Sequence, residues 1–257
     1  MPIPLPGPID RFLQRRAVAR WRRASADVPQ MGLAALDRKR EAARKLLRHI
    51  GAFKFEADSR LALPKIGSTR FPQPPGTDWA WRPKPWRAPV TPLGIAPALS
   101  KMEMTNELVI FHDCNQAEVS LRQVRNERDT DLAPYGIDLQ AFHFEGSYLS
   151  LVVEIPEESC RGLRKRHLIR LAAVIESDSP TPIHARLNVK NGPNTEQVLL
   201  TLPDDAPETM VEFDLAYSGL NEKRAERMWI DLMIERPAMN KVTIRDLTLC
   251  RYPRADI

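Results

Sequence analysis

Glycine is scarce: 11 in 257 residues, and no two lie closer than nine positions apart. Loops that cradle a phosphate need clustered glycines to bring backbone N–H groups to it, so P-loop and Rossmann readings are excluded. Cysteine is scarcer still. Cys114, Cys160 and Cys250 are an odd number, far apart, with no CxxC spacing, which excludes a disulfide framework and a zinc ribbon. No apolar run reaches the ~18–20 residues of a spanning helix, and no apolar leader follows Met1. The expected location is therefore the cytoplasm, with peripheral contact at the inner membrane face. Motifs for catalysis are missing too: there is no GxSxG, no HExxH and no HxE partnered with CxxC. The chain reads as non-enzymatic and needs no cofactor.

What is present is unevenly spread. Residues 1–50 carry 12 Lys/Arg against 4 Asp/Glu, while the remainder carries 26 against 29. The pI of 9.2 thus belongs to the N-terminus. Pro2, Pro4, Pro6 and Pro8 make a stiff lead that cannot start a helix. From Ile9 to Ala26, Ile9, Phe12, Leu13, Ala17 and Trp21 form a drifting apolar stripe among arginines, and a second helix is expected over Leu33–Ile50. Leu33, Leu36, Ala43, Leu47 and Ile50 keep 3-4 spacing over less than three heptads, too short for a stable coiled coil, so a helical hairpin is the economical reading. Phe12, Arg15, Arg16, Arg20 and Trp21 are the candidate contacts to an anionic membrane surface or an acidic protein partner, against packing on the body or on the second helix. Nucleic acid is the weakest of these partners.

Residues 64–97 hold nine prolines in 34 positions, together with Phe71, Trp79, Trp81 and Trp86. Proline removes helix and ladder donors, so no regular structure is expected there. The aromatics call for a strap packed on the body rather than a free linker. The expected domains are a basic helical arm (1–55), a Pro/Trp-rich strap (56–98) and a body (99–257).

The body alternates with period two. Leu149, Leu151, Val153 and Ile155 form one such row; Ile183, Ala185, Leu187 and Val189 form another. Val198–Leu202, Val211–Leu215 and Met228–Ile234 continue the pattern, and 107–113 and 118–124 are further candidates. Between Val242/Ile244 and Leu247/Leu249 the phase slips by one residue, as a β-bulge produces. Segments separated by turns such as Asn191-Gly192-Pro193-Asn194 give a mainly β fold, an antiparallel jelly-roll sandwich, with single helical turns near 157–165 and 220–226.

Two places could bind metal. His112-Asp113-Cys114 puts three ligand types together, but neighbours on a strand point to opposite faces and Cys114 reads as a small buried residue. Asp129 and Asp131 are too few for a calcium site. No metal is expected. The basic run 161–167 reads as a solvated loop, with an extension of an anionic-ligand surface as the alternative. If the apolar rows face inward, Arg186 and Asn188 on one strand and Trp229 and Asp231 on another face outward. One indole with guanidinium, amide and carboxylate groups is a composition that can stack a sugar ring and take paired hydroxyls. A plain solvated sheet face, or one covered by the strap, remains the competing reading.

The runs GSYLSLVVEIPEE, LRKRHLIRL, HARLNVKNGPNTEQ and VEFDLAYSGLNEKRAERMWIDLMIE, with GSTRFPQPPGTDWAWRPKPW and ELVIFHDC, resemble a domain-of-unknown-function family of alphaproteobacterial proteins common in the Rhodobacterales. The C-terminal part is also similar in pattern to carbohydrate-binding-like sandwiches. The resemblance brings no catalytic residues. The residues themselves are read as a non-enzymatic binding protein whose jelly-roll body presents Arg186, Asn188, Trp229 and Asp231 to a saccharide while the basic arm docks it. The alternatives are a scaffold making protein–protein contacts and, further off, a sandwich-fold polysaccharide lyase or hydrolase.

Overall fold

Strands whose alternate residues are apolar must bury one face, and two such sheets do so against each other. The computed structural model describes residues 7–254, which leaves most of the proline lead outside. In chain order its strands are β1 (Trp79–Trp81), β2 (Gly94–Ile95), β3 (Met102–Thr105), β4 (Leu108–His112), β5 (Val119–Arg125), β6 (Tyr135–Ala141) and β7 (Leu149–Ile155). There follow β8 (His167–Ser177), β9 (Ile183–Asn191), β10 (Asn194–Thr201), β11 (Glu208–Asp214), β12 (Ala225–Ile234) and β13 (Asn240–Pro253). One sheet runs β11-β8-β13-β6-β5-β2, with β1 on β13; the other runs β10-β9-β12-β7-β4-β3. All pairings are antiparallel, and from β6 to β9 and again from β10 to β13 successive strands alternate between sheets, the jelly-roll pattern. Leu151, Leu187 and Ile230 from one sheet meet Ile169, Leu171 and Leu249 from the other, all fully buried. The phase slip in β13 is real: its register on β8 shifts between Ile244 and Asp246. A 3-10 turn forms at Glu157–Cys160, but residues 220–226 hold only turns before β12 begins.

Residues 1–59 and 60–257 are two separate units. In the first, α1 (Pro8–Ala26) starts on Pro8, contrary to the expectation that the lead cannot start a helix, because a first-turn residue needs no N–H donor; Asp10 accepts the Gly7 N–H at 3.1 Å. The next helix, α2, runs Leu33–Ala62, a full three turns beyond the expected end at Ile50. Gly51 is tolerated inside it at about 1 kcal/mol, and nothing in the sequence stops the helix before Pro64.

The strap also departs from expectation, because regular structure does form there. Residues 76–82 hold no proline, so β1 can pair with β13 (Trp79 opposite Arg251, Trp81 opposite Leu249), and α3 (Lys84–Arg87) places Pro85 in a first turn where no N–H is needed. The indole of Trp86 is fully buried in the core, and its Nε1–H donates to the Ile244 carbonyl at 2.8 Å. Gln123 on β5 donates to the carbonyls of Pro85 (2.7 Å) and Ala88 (2.8 Å). Arg82, fully buried, forks onto Asp246 with two 2.8 Å bonds beneath the ring of Phe71. Strap and sandwich are thus one folded body.

Candidate functional site

The outer face of the β10–β3 sheet is set by hairpin register. Asn191 pairs with Asn194 across Gly192, whose φ of +64° only glycine adopts at no cost, and Pro193 fills the second turn position. That register sets Gln197 opposite Asn188 and Leu199 opposite Arg186. On the other side β12 sets Trp229 opposite Asn188 and Asp231 opposite Arg186.

All four sequence-derived candidates therefore converge. Asp231 Oδ2 accepts from Arg186 Nε at 2.8 Å and Nη2 at 2.6 Å, and from Asn188 Nδ2 at 3.0 Å. The amide of Asn188 also reaches the Arg186 carbonyl at 3.1 Å, and its oxygen accepts from Gln197 Nε2 at 3.0 Å. Asp231 and Asn188 are buried, while 37% of the Arg186 side chain stays exposed. The strap's own strand, β1, pairs with β13 in the other sheet, while its Lys84 N–H and Arg87 reach Glu107 at the β3–β4 turn.

Three partners escaped the sequence reading: Gln197, Arg227 and Glu154. Arg227 stands two residues before Trp229 and shares its face, so parity alone points to it. Glu154 and Gln197 join only through strand order. Arg227 Cζ sits 5.1 Å from the Trp229 ring centre while Nε holds Glu154 Oε2 at 2.9 Å, a pairing that raises the guanidinium pKa further. One indole face is thereby capped. The cap is a half-exposed ion pair worth ~1 kcal/mol or less. Lys190 pairs with Glu226 (3.2 Å), and the His184 ring lies 2.8 Å from Glu235.

On α1, Phe12, Arg15, Arg16 and Arg20 are exposed and Trp21 is half-buried. Arg16 lies over Phe12 (5.4 Å) and Arg20 over Trp21 (6.0 Å). Ile9, Phe12 and Leu13 are 57–73% exposed, while Ala17 and Trp21 of the same stripe are half-buried.

Elsewhere the polar clusters tie the body together. His112 Nε2 bonds the Ala98 carbonyl (3.0 Å), Asp113 caps Ser147, and Cys114 is half-buried rather than buried. The Ser147 bonds hold the Asp113 pKa below its usual value. Among the described residues no group of three His, Cys, Asp or Glu could hold a metal ion. Residues 161–166 form the expected loop, and His167 opens β8. On the opposite sheet, Tyr252 donates to Glu212, which also accepts from Arg170 at 2.9 Å. Burial and that bond push the tyrosine up to about 12, so it stays protonated at neutral pH and is no general base.

The chain is similar to several solved carbohydrate-binding modules. One is the family 11 module from Clostridium thermocellum in complex with a β-1,3-1,4-mixed-linked tetrasaccharide: 15% identity, TM-score 0.40, 61% of this chain and 96% of that one. Another is the CBM22-1 xylan-binding domain of Xyn10C from Paenibacillus barcinonensis: 6% identity, TM-score 0.36, 63% of this chain and 95% of that one. No curated protein matches. Residues 3–257 match the model of the family of unknown function DUF6478, and the chain belongs to that family.

Proposed function

We propose that this protein is a non-catalytic saccharide-binding module whose site is the outer face around Arg186, Asn188, Trp229 and Asp231. The observation that carries the reading is the chain of planar groups Arg186–Asp231–Asn188–Gln197, held in register beside an indole. Asp231 and Asn188, buried, fix the Arg186 guanidinium, which stays 37% exposed and can offer donors to a vicinal hydroxyl pair. The Arg186–Asp231 and Arg227–Glu154 pairs offset each other's charge, which suits hydroxyls better than a bare anion. The modules named above are described with bound or recognised saccharides; they suggest candidate ligands. The test is a glycan array probed with the full chain, since strap residues are part of the core. Binding abolished by Arg186→Ala and by Trp229→Ala, with the fold retained, supports the site. Silence across the array, or binding indifferent to both substitutions, refutes it.

A second reading concerns the arm. The exposed apolar residues of α1 among six arginines favour attachment to an anionic membrane surface, lying on it rather than through it. No helix among the described residues is long and apolar enough to cross a membrane.

A further inference from the structure

We infer that α2 is a dimerisation seam, on which a second copy of this chain lays its own α2 in antiparallel orientation. At 30 residues α2 is about 45 Å long and spans about four heptads, enough for a coiled coil where the Leu33–Ile50 stretch alone was not. Its 3-4 spacing continues past Ile50 through Lys54, Ala57 and Leu61.

The middle of this seam is apolar and in water. Leu47 is 66% exposed, Ile50 59%, and the flanking Leu46 and Phe53 42% and 76%. Gly51, inside the helix, has nothing within 4 Å of where a Cβ would stand. A helix-interior glycine weakens a lone helix, but it lets a second helix come close.

The occupant follows from the order of residues along the seam. Inverting the helix about the point between residues 48 and 49 sets Leu47 against the partner's Ile50, and Leu61 against the partner's Leu36. The two cations in the seam then fall opposite the two alanines: Arg40 against the partner's Ala57 and Lys54 against the partner's Ala43. Large meets large at the centre, and each long cation gains a small neighbour over which its stem can lie with its head in water. Asp37, at 2.7 Å, already draws the Arg40 guanidinium to the seam edge. A parallel pair would instead stack Arg40 on the partner's Arg40 and Lys54 on the partner's Lys54, like charge on like. A membrane would meet a narrow stripe interrupted by both cations, without alanines to receive them. The pattern is self-complementary in one orientation only. This seam is independent of the saccharide face, which lies on other elements.

Sedimentation equilibrium of the full chain over a concentration series tests it. The expected mass is twice 29.3 kDa, falling to the monomer on dilution. Leu47→Asp with Ile50→Asp should weaken association on the order of 100-fold or more, with the thermal transition of the sandwich unmoved. For orientation, chains carrying Ala43→Cys and Lys54→Cys are mixed in a Cys114→Ser background and oxidised, with heterodimer as the expected product. A monomer at every concentration overturns the inference, as does a dimer that survives the double substitution. Cross-linking of Lys54→Cys chains to themselves would show the parallel pair and overturn the orientation. Vesicle binding by a chain that stays monomeric, lost in the double variant, would assign the seam to lipid instead.

Discussion

Removing the guanidinium of Arg82 tests whether the strap is fixed to the sandwich by its one fully buried cation. Arg82 holds Asp246 with two 2.8 Å bonds, donates to the Ser68 carbonyl at 3.1 Å, and stacks 5.1 Å from the centre of Phe71. Burial already pushes the Asp246 carboxyl pKa up, against the pull of Arg82. The pair as a whole is therefore no large stabiliser, but either half alone is worse. Arg82→Met should cost about 3–5 kcal/mol by leaving a carboxylate buried without its partner, and lower the melting temperature by roughly 6–20 °C for a body of this size. The double variant Arg82→Met/Asp246→Asn should recover most of that, because the amide carries no charge and can still accept the Leu247 N–H, which Asp246 takes at 2.9 Å. The pH dependence has a definite sign. With Arg82 gone, the folded pKa of Asp246 rises further above its unfolded value, near ~3.9, so folding takes up a proton and the deficit is largest at neutral pH. It shrinks as pH falls toward the unfolded value. Urea melts of the unsubstituted protein and the two variants at neutral and mildly acid pH measure all of this. A single variant that loses less than ~1 kcal/mol, or a double variant no better than the single, would refute the charge-burial account.

Three other outcomes are expected. Arg227→Ala should tighten saccharide binding several-fold by uncovering Trp229, read by calorimetry with whichever glycan the array identifies; weaker binding would make Arg227 a ligand contact instead. His167 is buried, with its pKa lowered chiefly by desolvation, and its Nδ1 accepts the Arg164 N–H at 3.1 Å. Its contribution is therefore complete above the unfolded pKa, ~6.5, and is lost as pH falls through that value toward the folded one. His167→Gln should flatten stability against pH over that window, and an unchanged profile would exclude the ring as its source. Sedimentation with anionic vesicles should depend on Arg15, Arg16 and Arg20 and weaken with salt, since exposed charges are screened within about 8 Å at physiological ionic strength; vesicle binding that survives their replacement by Glu would place the contact off α1.

How legible the fold was depended on what each strand faces. β7, β9 and β12 showed in the sequence because polar residues alternate with their core rows. β8 did not show. Its inner row of Ile169 and Leu171 is accompanied by Leu168, Ala172 and Val174 on the outer side, so the segment reads as one apolar run without a period. The strap failed differently: counting prolines over 34 positions averaged away a seven-residue window without any, and that window holds β1. Helix α2 was cut at Ile50 because the apolar stripe breaks at Gly51 and Lys54, although only Pro64 removes the backbone donor that ends a helix.

The candidate site was legible to the extent that parity determines it. Knowing which row is buried assigns Arg186, Asn188, Trp229 and Asp231 to one face, and that needs no knowledge of neighbours. It does not say that β9 lies beside β12, so nothing in the sequence joins Arg186 to Asp231 across 45 residues, or Arg227 to Glu154 across 73. Those pairings decide the character of the face. Unpaired, the same residues would make a charged surface that selects ions. Paired, they hold one another in fixed positions with a capped indole at their side, and on the proposed reading a ligand would gain by matching positions rather than by supplying charge.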